Sequence, residues 1–131
     1  MHHLSAEEKA RQGDRAALEK KAIDIVAFDL RGISDMADCF LICSGTTDRH
    51  VRAIADAIEE ALFRVGVRMD HKEGYLESTW ILLDYGDLVV HVFTEEKRRY
   101  YDLERLWGDA PKLDVSMNIP TTTLDMRVER R

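Results

Sequence analysis

Residues 37 to 45, ADCFLICSG, form a near-continuous apolar run closed by Gly45, and residues 48 to 65 follow with apolar side chains on one helical face. An apolar run without polar alternation reads as a strand covered on both faces, as in a helix-flanked sheet. In the stretch that follows, Val51, Ile54, Ala55, Ile58, Leu62 and Val65 recur at three- and four-residue steps, the stripe of an amphipathic helix. Thr47 or Asp48 caps its start and Gly66 supplies a left-handed end. A buried strand feeding an amphipathic helix restricts the chain to an α/β layout.

The remaining segments extend that layout. DIVAFDL, residues 24 to 30, reads as a strand ending at Arg31-Gly32. A short strand is expected at Val67 to His71, a turn at Glu73-Gly74, then strands Thr79 to Tyr85 and Leu88 to Phe93. Thr94, Glu95 and Glu96 give a capped, acidic start to a helix ending near Trp107-Gly108. At the other end, Ser5 and Glu8 have capping-box spacing, Gly13 is expected to interrupt that helix, and a second piece runs from Asp14 to Lys21. Residues 1–16 are therefore expected as a partly helical extension, 17–110 as the domain, and 111–131 as an extended or disordered tail. Strands alternating with helices predict a single three-layer α/β domain with a mixed sheet flanked by helices, and 131 residues suit one domain.

Charge and cysteine usage exclude several functions. The net charge of −6 argues against coating nucleic acid, which draws on clustered Lys and Arg, and is compatible with a basic protein partner. No apolar stretch approaches a membrane span, and MHHLSAEEKARQGD lacks the apolar core of a signal peptide, so a cytoplasmic location is expected. Cys39 and Cys43 share one strand at a separation of roughly 13 Å, too far for a disulfide. Two buried thiols are the simplest reading. No Cys/His set has zinc-ligand spacing, and neither a metal nor a cofactor is expected.

The stretch WILLDYGDLVVHVFTEEKRRYYDLERLWGD, residues 80 to 109, carries the residues with the most chemistry. If Gly86-Asp87 is a two-residue turn, opposed residues have numbers summing to 173. One face then pairs Tyr85 with Leu88, Leu83 with Val90 and Ile81 with Val92. The other pairs Asp84 with Val89, Leu82 with His91 and Trp80 with Phe93. A catalytic reading would make His91 a base oriented by Asp84 or Asp87, and Asp-x2-Asp-x3-His also resembles a metal set. The register weakens both, because His91 faces Leu82 and any contact with Asp84 is diagonal, at roughly 7–8 Å. Asp87 fits a turn role, and His91 is most simply a partly buried histidine bonded to a neighbour. Ser44-Gly45-Thr46-Thr47 lacks the glycine spacing and lysine of a phosphate loop, so it reads as a helix cap. Asp29 and Asp84 could approach one another, but no Asp-x-Asp pair stands in a strand to hold magnesium.

A binding reading needs less. Trp, Tyr and Arg dominate protein interfaces, and Trp80, Phe93, Arg98, Arg99, Tyr100, Tyr101 and Trp107 all lie on this hairpin or the helix after it. Helical spacing puts Tyr100, Leu103 and Trp107 on one stripe with Leu106 beside it. Leu103, Leu106 and Trp107 read as packing residues, and Trp80, Arg98 and Tyr101 as interface candidates.

GTTDRHV (45 to 51), WILLDYGDLVVHVF (80 to 93) and YDLERLW (101 to 107), with KKAIDIVAFDLRG (20 to 32) and ADCFLICSG, resemble the ribosomal silencing factor, or Iojap-like, family over roughly residues 17 to 109. The resemblance implies a nucleotidyltransferase-like fold without the catalytic acids, and a translation repressor rather than an enzyme. It implies binding to large ribosomal subunit protein fourteen, a basic protein, and steric blocking of subunit association under nutrient limitation or in stationary phase. Little direct RNA contact is then expected, and self-association as a homodimer is within the family's range. Carried onto this chain, Trp80, Asp84, Gly86, Asp87, His91, Arg98 and Tyr101 are the candidates for the partner face or its support. Two other functions stay open: assembly of the large subunit, and a nucleotide-dependent transferase using Asp29, Asp84 and the Ser44–Thr47 loop.

Overall fold

The computed structural model describes residues 4–106, 108 and 110–115. Helix α1 spans Ala6–Glu19, strand β1 Ile23–Asp29, β2 Cys39–Gly45, helix α2 Asp48–Arg64, and strands β3 His71–Glu73, β4 Trp80–Asp84 and β5 Leu88–Thr94. Short helices α3, Glu95–Tyr101, and α4, Leu103–Leu106, precede a two-residue strand β6, Lys112–Leu113. The strands form one six-stranded sheet in the order β3-β4-β5-β2-β1-β6. β2 and β5 pair in parallel and the other neighbours antiparallel, so the sheet is mixed and flanked by helices, as expected.

Every residue of β2 is buried, which explains its unbroken apolar composition. On one sheet face, Leu41, Cys43, Ile81, Leu83, Val90 and Val92 pack with Val51, Ile54, Ile58 and Leu62 of α2. On the other, Phe28, Leu30, Phe40, Ile42 and Phe93 form a second cluster, joined by half-buried Trp80 and Leu103. Both cysteines are buried free thiols, pushed up to about 12 by that burial, so neither is a nucleophile at neutral pH.

Four local expectations need correction. Gly13 does not interrupt the first helix, which is continuous from Ala6 to Glu19 and carries the Ser5–Glu8 capping box. A Cβ on Gly13 would stand 2.8 Å from Leu41 Cδ2, so the glycine lets α1 approach the sheet closely. The strand expected at Val67 to His71 lies later, at His71–Glu73. The helix after β5 ends at Tyr101 because Asp102 adopts a left-handed φ of 47° and its N–H bonds to Arg98 O. The region beyond Pro111, expected as a tail, begins with β6 paired to Ala27 and Phe28 of β1. Residues 116 to 131 lie outside the described residues.

The Ser44–Thr47 segment is a cap and a joint. Thr47 accepts from His50 N at the start of α2. His50 Nδ1 accepts from Thr46 N at 2.9 Å, which leaves Nε2 as the protonated nitrogen, donating to Lys20 O at 2.7 Å. The imidazole thereby ties the end of α1 to the start of α2.

Candidate partner-binding site

The β4–β5 hairpin has the register that a Gly86-Asp87 turn dictates. Trp80 pairs with Phe93, Ile81 with Val92, Leu82 with His91, Leu83 with Val90 and Asp84 with Val89. Gly86 holds a φ of 86°, a conformation glycine adopts without Cβ strain. This places Trp80, Asp84 and His91 on the sheet face opposite α1 and α2, while Ile81, Leu83, Val90 and Val92 enter the core.

Of the seven expected site residues, three gather at the turn. The Asp84 carboxylate accepts from Gly86 N at 2.8 Å and lies 3.5 Å from His71 Nδ1. Asp87 pairs with Lys9 of α1 at 2.8 Å, and its carbonyl accepts from the amides of Asp38 and Cys39. These carboxylates brace the turn against β3, α1 and the start of β2. Neither carboxylate has a hydrogen bond or ion pair to His91.

The other four gather at the far end of the hairpin, roughly 13 Å along the strand from Asp84. Trp80 Nε1 donates to His91 Nδ1 at 3.1 Å. The Trp80 ring lies 5.0 Å from Phe93 and 4.6 Å from Tyr101, centroid to centroid. His91 is buried, edge-on to Phe40 at 4.6 Å, and burial lowers its pKa to about 4. It is therefore neutral at pH 7, with its proton on Nε2 because Nδ1 accepts the indole N–H. Arg98 clamps Glu104 through Nε at 2.9 Å and Nη2 at 3.0 Å, and donates from Nη1 to Ser44 Oγ at 2.9 Å. Those bonds hold the Glu104 carboxyl below its usual range. Arg98 is a brace between α3, α4 and β2.

The side chains facing solvent here include two aromatic rings. Tyr101 is 44% exposed and Tyr100 75%, their rings edge-on at 5.0 Å. Arg99 beside them is exposed. The helix break at Asp102 dissolves the expected Tyr100–Leu103–Trp107 stripe: Leu103 packs on the second cluster, Leu106 is 71% exposed, and Trp107 lies outside the described residues. Arg99 and Tyr100 were legible only as part of an Arg/Tyr-rich run, because helical spacing does not say which side of so short a helix meets the sheet.

The arrangement gives little for catalysis to use. Asp29 and Asp84 stand on strands separated by three spacings, roughly 14 Å, and on opposite faces, Asp29 paired with Cys39 and Asp84 with Val89. Arg31 forks onto Asp29 and holds its carboxyl down at about 2. Among the described residues no group of three or more His, Cys, Asp or Glu side chains could hold a metal ion. A groove of about 620 Å³ opens on the helical side, lined by Glu59, Phe63, Val67, Met69 and Tyr85 among others, and none of the seven residues borders it. No described helix is long and apolar enough to cross a membrane.

Known proteins give this geometry a family. The model of the family "Ribosomal silencing factor during starvation" matches residues 3–130. Ribosomal silencing factor RsfS of Bacillus subtilis is 50% identical over 102 residues, 76% of this chain and 86% of that relative. The Haemophilus influenzae factor is 39% identical over 88 residues, 67% of this chain and 86% of that relative. The chloroplastic protein Iojap of Zea mays is 30% identical over 77% of this chain and 44% of its own length. Among solved structures, a Chromobacterium violaceum protein superposes with a TM-score of 0.78 at 31% identity, covering 80% of this chain and 88% of its own. A Bacillus halodurans protein does so with a TM-score of 0.71 at 39% identity, covering 79% and 94%. With the family model spanning nearly all of its length, this chain belongs to the ribosomal silencing factor family.

Proposed function

We propose that this protein is a non-enzymatic translation repressor of the cytoplasm. In this reading it binds the large ribosomal subunit through large-subunit ribosomal protein fourteen and sterically blocks joining of the small subunit when nutrients are limiting. Its family membership supports the ribosomal role, and the aromatic patch of Trp80, Tyr100 and Tyr101 carries the proposal of a protein contact. Ring surface held at the open end of the β4–β5 hairpin, next to an exposed arginine, has the composition of an interface hot spot. The net charge of −6 supports a basic protein rather than RNA as the surface met. Trp80 and Tyr101 are the contact residues, while Asp84, Gly86, Asp87, His91 and Arg98 support them. A homodimer is compatible with this arrangement.

The deciding experiment is subunit joining followed by sucrose-gradient sedimentation. Excess protein is expected to co-sediment with free large subunits and deplete joined ribosomes. Unchanged joining despite binding to the large subunit would replace silencing with a role in large-subunit assembly. Absence of binding removes both.

A further inference from the structure

His91 presents a physical problem that the fold does not explain. It is 4% exposed, carries its proton on Nε2, and that nitrogen has no hydrogen-bond partner among the described residues. A buried donor without a partner costs stability. Its neighbours on this face are the rings of Phe40, Trp80 and Phe93, among which a phenylalanine would leave no unpaired donor of its own. Among the described residues the one hydrogen bond its side chain makes is the one it accepts from the Trp80 indole at 3.1 Å.

Trp80 and His91 are diagonal neighbours across β4 and β5, with ring centroids 6.0 Å apart. The indole N–H is a donor only, and Trp80 is half-buried, so its orientation depends on where that donor is satisfied. Phe93 and Tyr101 contact the indole ring, but ring contacts tolerate rotation that a hydrogen bond does not. With the N–H committed inward, Trp80 offers a partner its ring surface and no donor.

We infer that His91 is a positioning residue for the partner face, fixing through its Nδ1 the orientation in which Trp80 meets the ribosome. This rests on the reading of Trp80 as a contact residue. It separates two properties that usually move together, because removing His91 relieves a buried unpaired N–H while releasing Trp80.

The test pairs spectroscopy with binding. The indole N–H resonance of Trp80 is followed by nitrogen-15 NMR in a Trp107→Phe background, and affinity for large subunits is measured without that background change. His91→Phe is expected to keep a cooperative urea transition at an equal or higher midpoint, shift the indole resonance and speed its hydrogen exchange. Its affinity is expected to fall about tenfold, within the range for loss of a preorganised anchor. His91→Gln, which keeps an acceptor, is expected to retain the resonance and most of the affinity. If the Phe variant loses cooperative unfolding, His91→Leu carries the same comparison. An unmoved indole resonance overturns the inference, since the rings alone would then hold Trp80. A moved resonance with unchanged affinity overturns it as well, leaving His91 a core residue. If the unsubstituted protein fails to bind large subunits, the functional reading falls, and the resonance still reports whether His91 orients Trp80.

Discussion

At the turn end of the β4–β5 hairpin, Asp84 and Asp87 spend their carboxylates on Gly86 N and Lys9. At the opposite end, Trp80 spends its only donor on His91, and Tyr101 keeps nearly half its surface in solvent. Both ends are rich in polar chemistry, yet one turns it inward to fix a turn and the other uses it to hold ring surface in place. A charged side chain already paired within the fold has little left for a partner, whereas an aromatic ring whose polar atom is satisfied still has its apolar area to bury.

Acid gives the largest expected separation of the two ends. Folded His91 takes up a proton only near pH 4, and the unfolded chain does so near 6.5. The unfolded state therefore binds more protons across that window, so stability is full above about 6.5 and falls as pH drops toward 4, by about 3 kcal/mol. Urea titrations at pH 7, 5.5 and 4 measure the slope, which His91→Phe is expected to flatten. A slope that survives this substitution assigns it to other groups.

Binding sharpens the contrast next. Trp80→Ala is expected to weaken large-subunit affinity by about 2 kcal/mol or more with the protein still folded by circular dichroism. Asp87→Ala is expected to do the reverse: it strands Lys9, whose side chain is 16% exposed, costing about 1–2 kcal/mol of stability after allowance for solvent screening. Urea midpoints and sedimentation on the same preparation check both halves. If Asp87→Ala abolishes binding at unchanged stability, the turn is itself a contact and the division between the ends breaks. The smallest effect is at Gly86, where a left-handed φ makes Gly86→Ala cost about 1 kcal/mol and leaves affinity unchanged.

The hairpin was legible because one dipeptide fixes it: a two-residue loop at Gly86-Asp87 sets every pair down to Trp80 and Phe93. β2 and α2 were legible for a related reason, since burial on two faces and burial on one face leave different periods in sequence. Gly13 misled because glycine breaks helices by propensity, whereas here it serves the close approach of α1 to Leu41, a tertiary demand that overrides the local one. Asp102 left no signal, being one of several acids in a run without Gly or Pro. The Trp80–His91 bond is diagonal, so the register of directly opposed pairs does not display it. Long side chains reach diagonally, so the partner of His91 was the residue two places from Leu82 on the same strand.

The outer strands of the sheet have a consequence for how this protein meets other molecules. β3 is three residues, His71-Lys72-Glu73, and β6 is two, Lys112-Leu113. Outer strands so short and so charged offer little ladder of their own for a foreign strand to continue. Short, charged outer strands of this kind disfavour edge-to-edge polymerisation. Association is thereby left to side-chain surfaces, whose fit is specific to one partner, rather than to backbone amides that any extended chain would match.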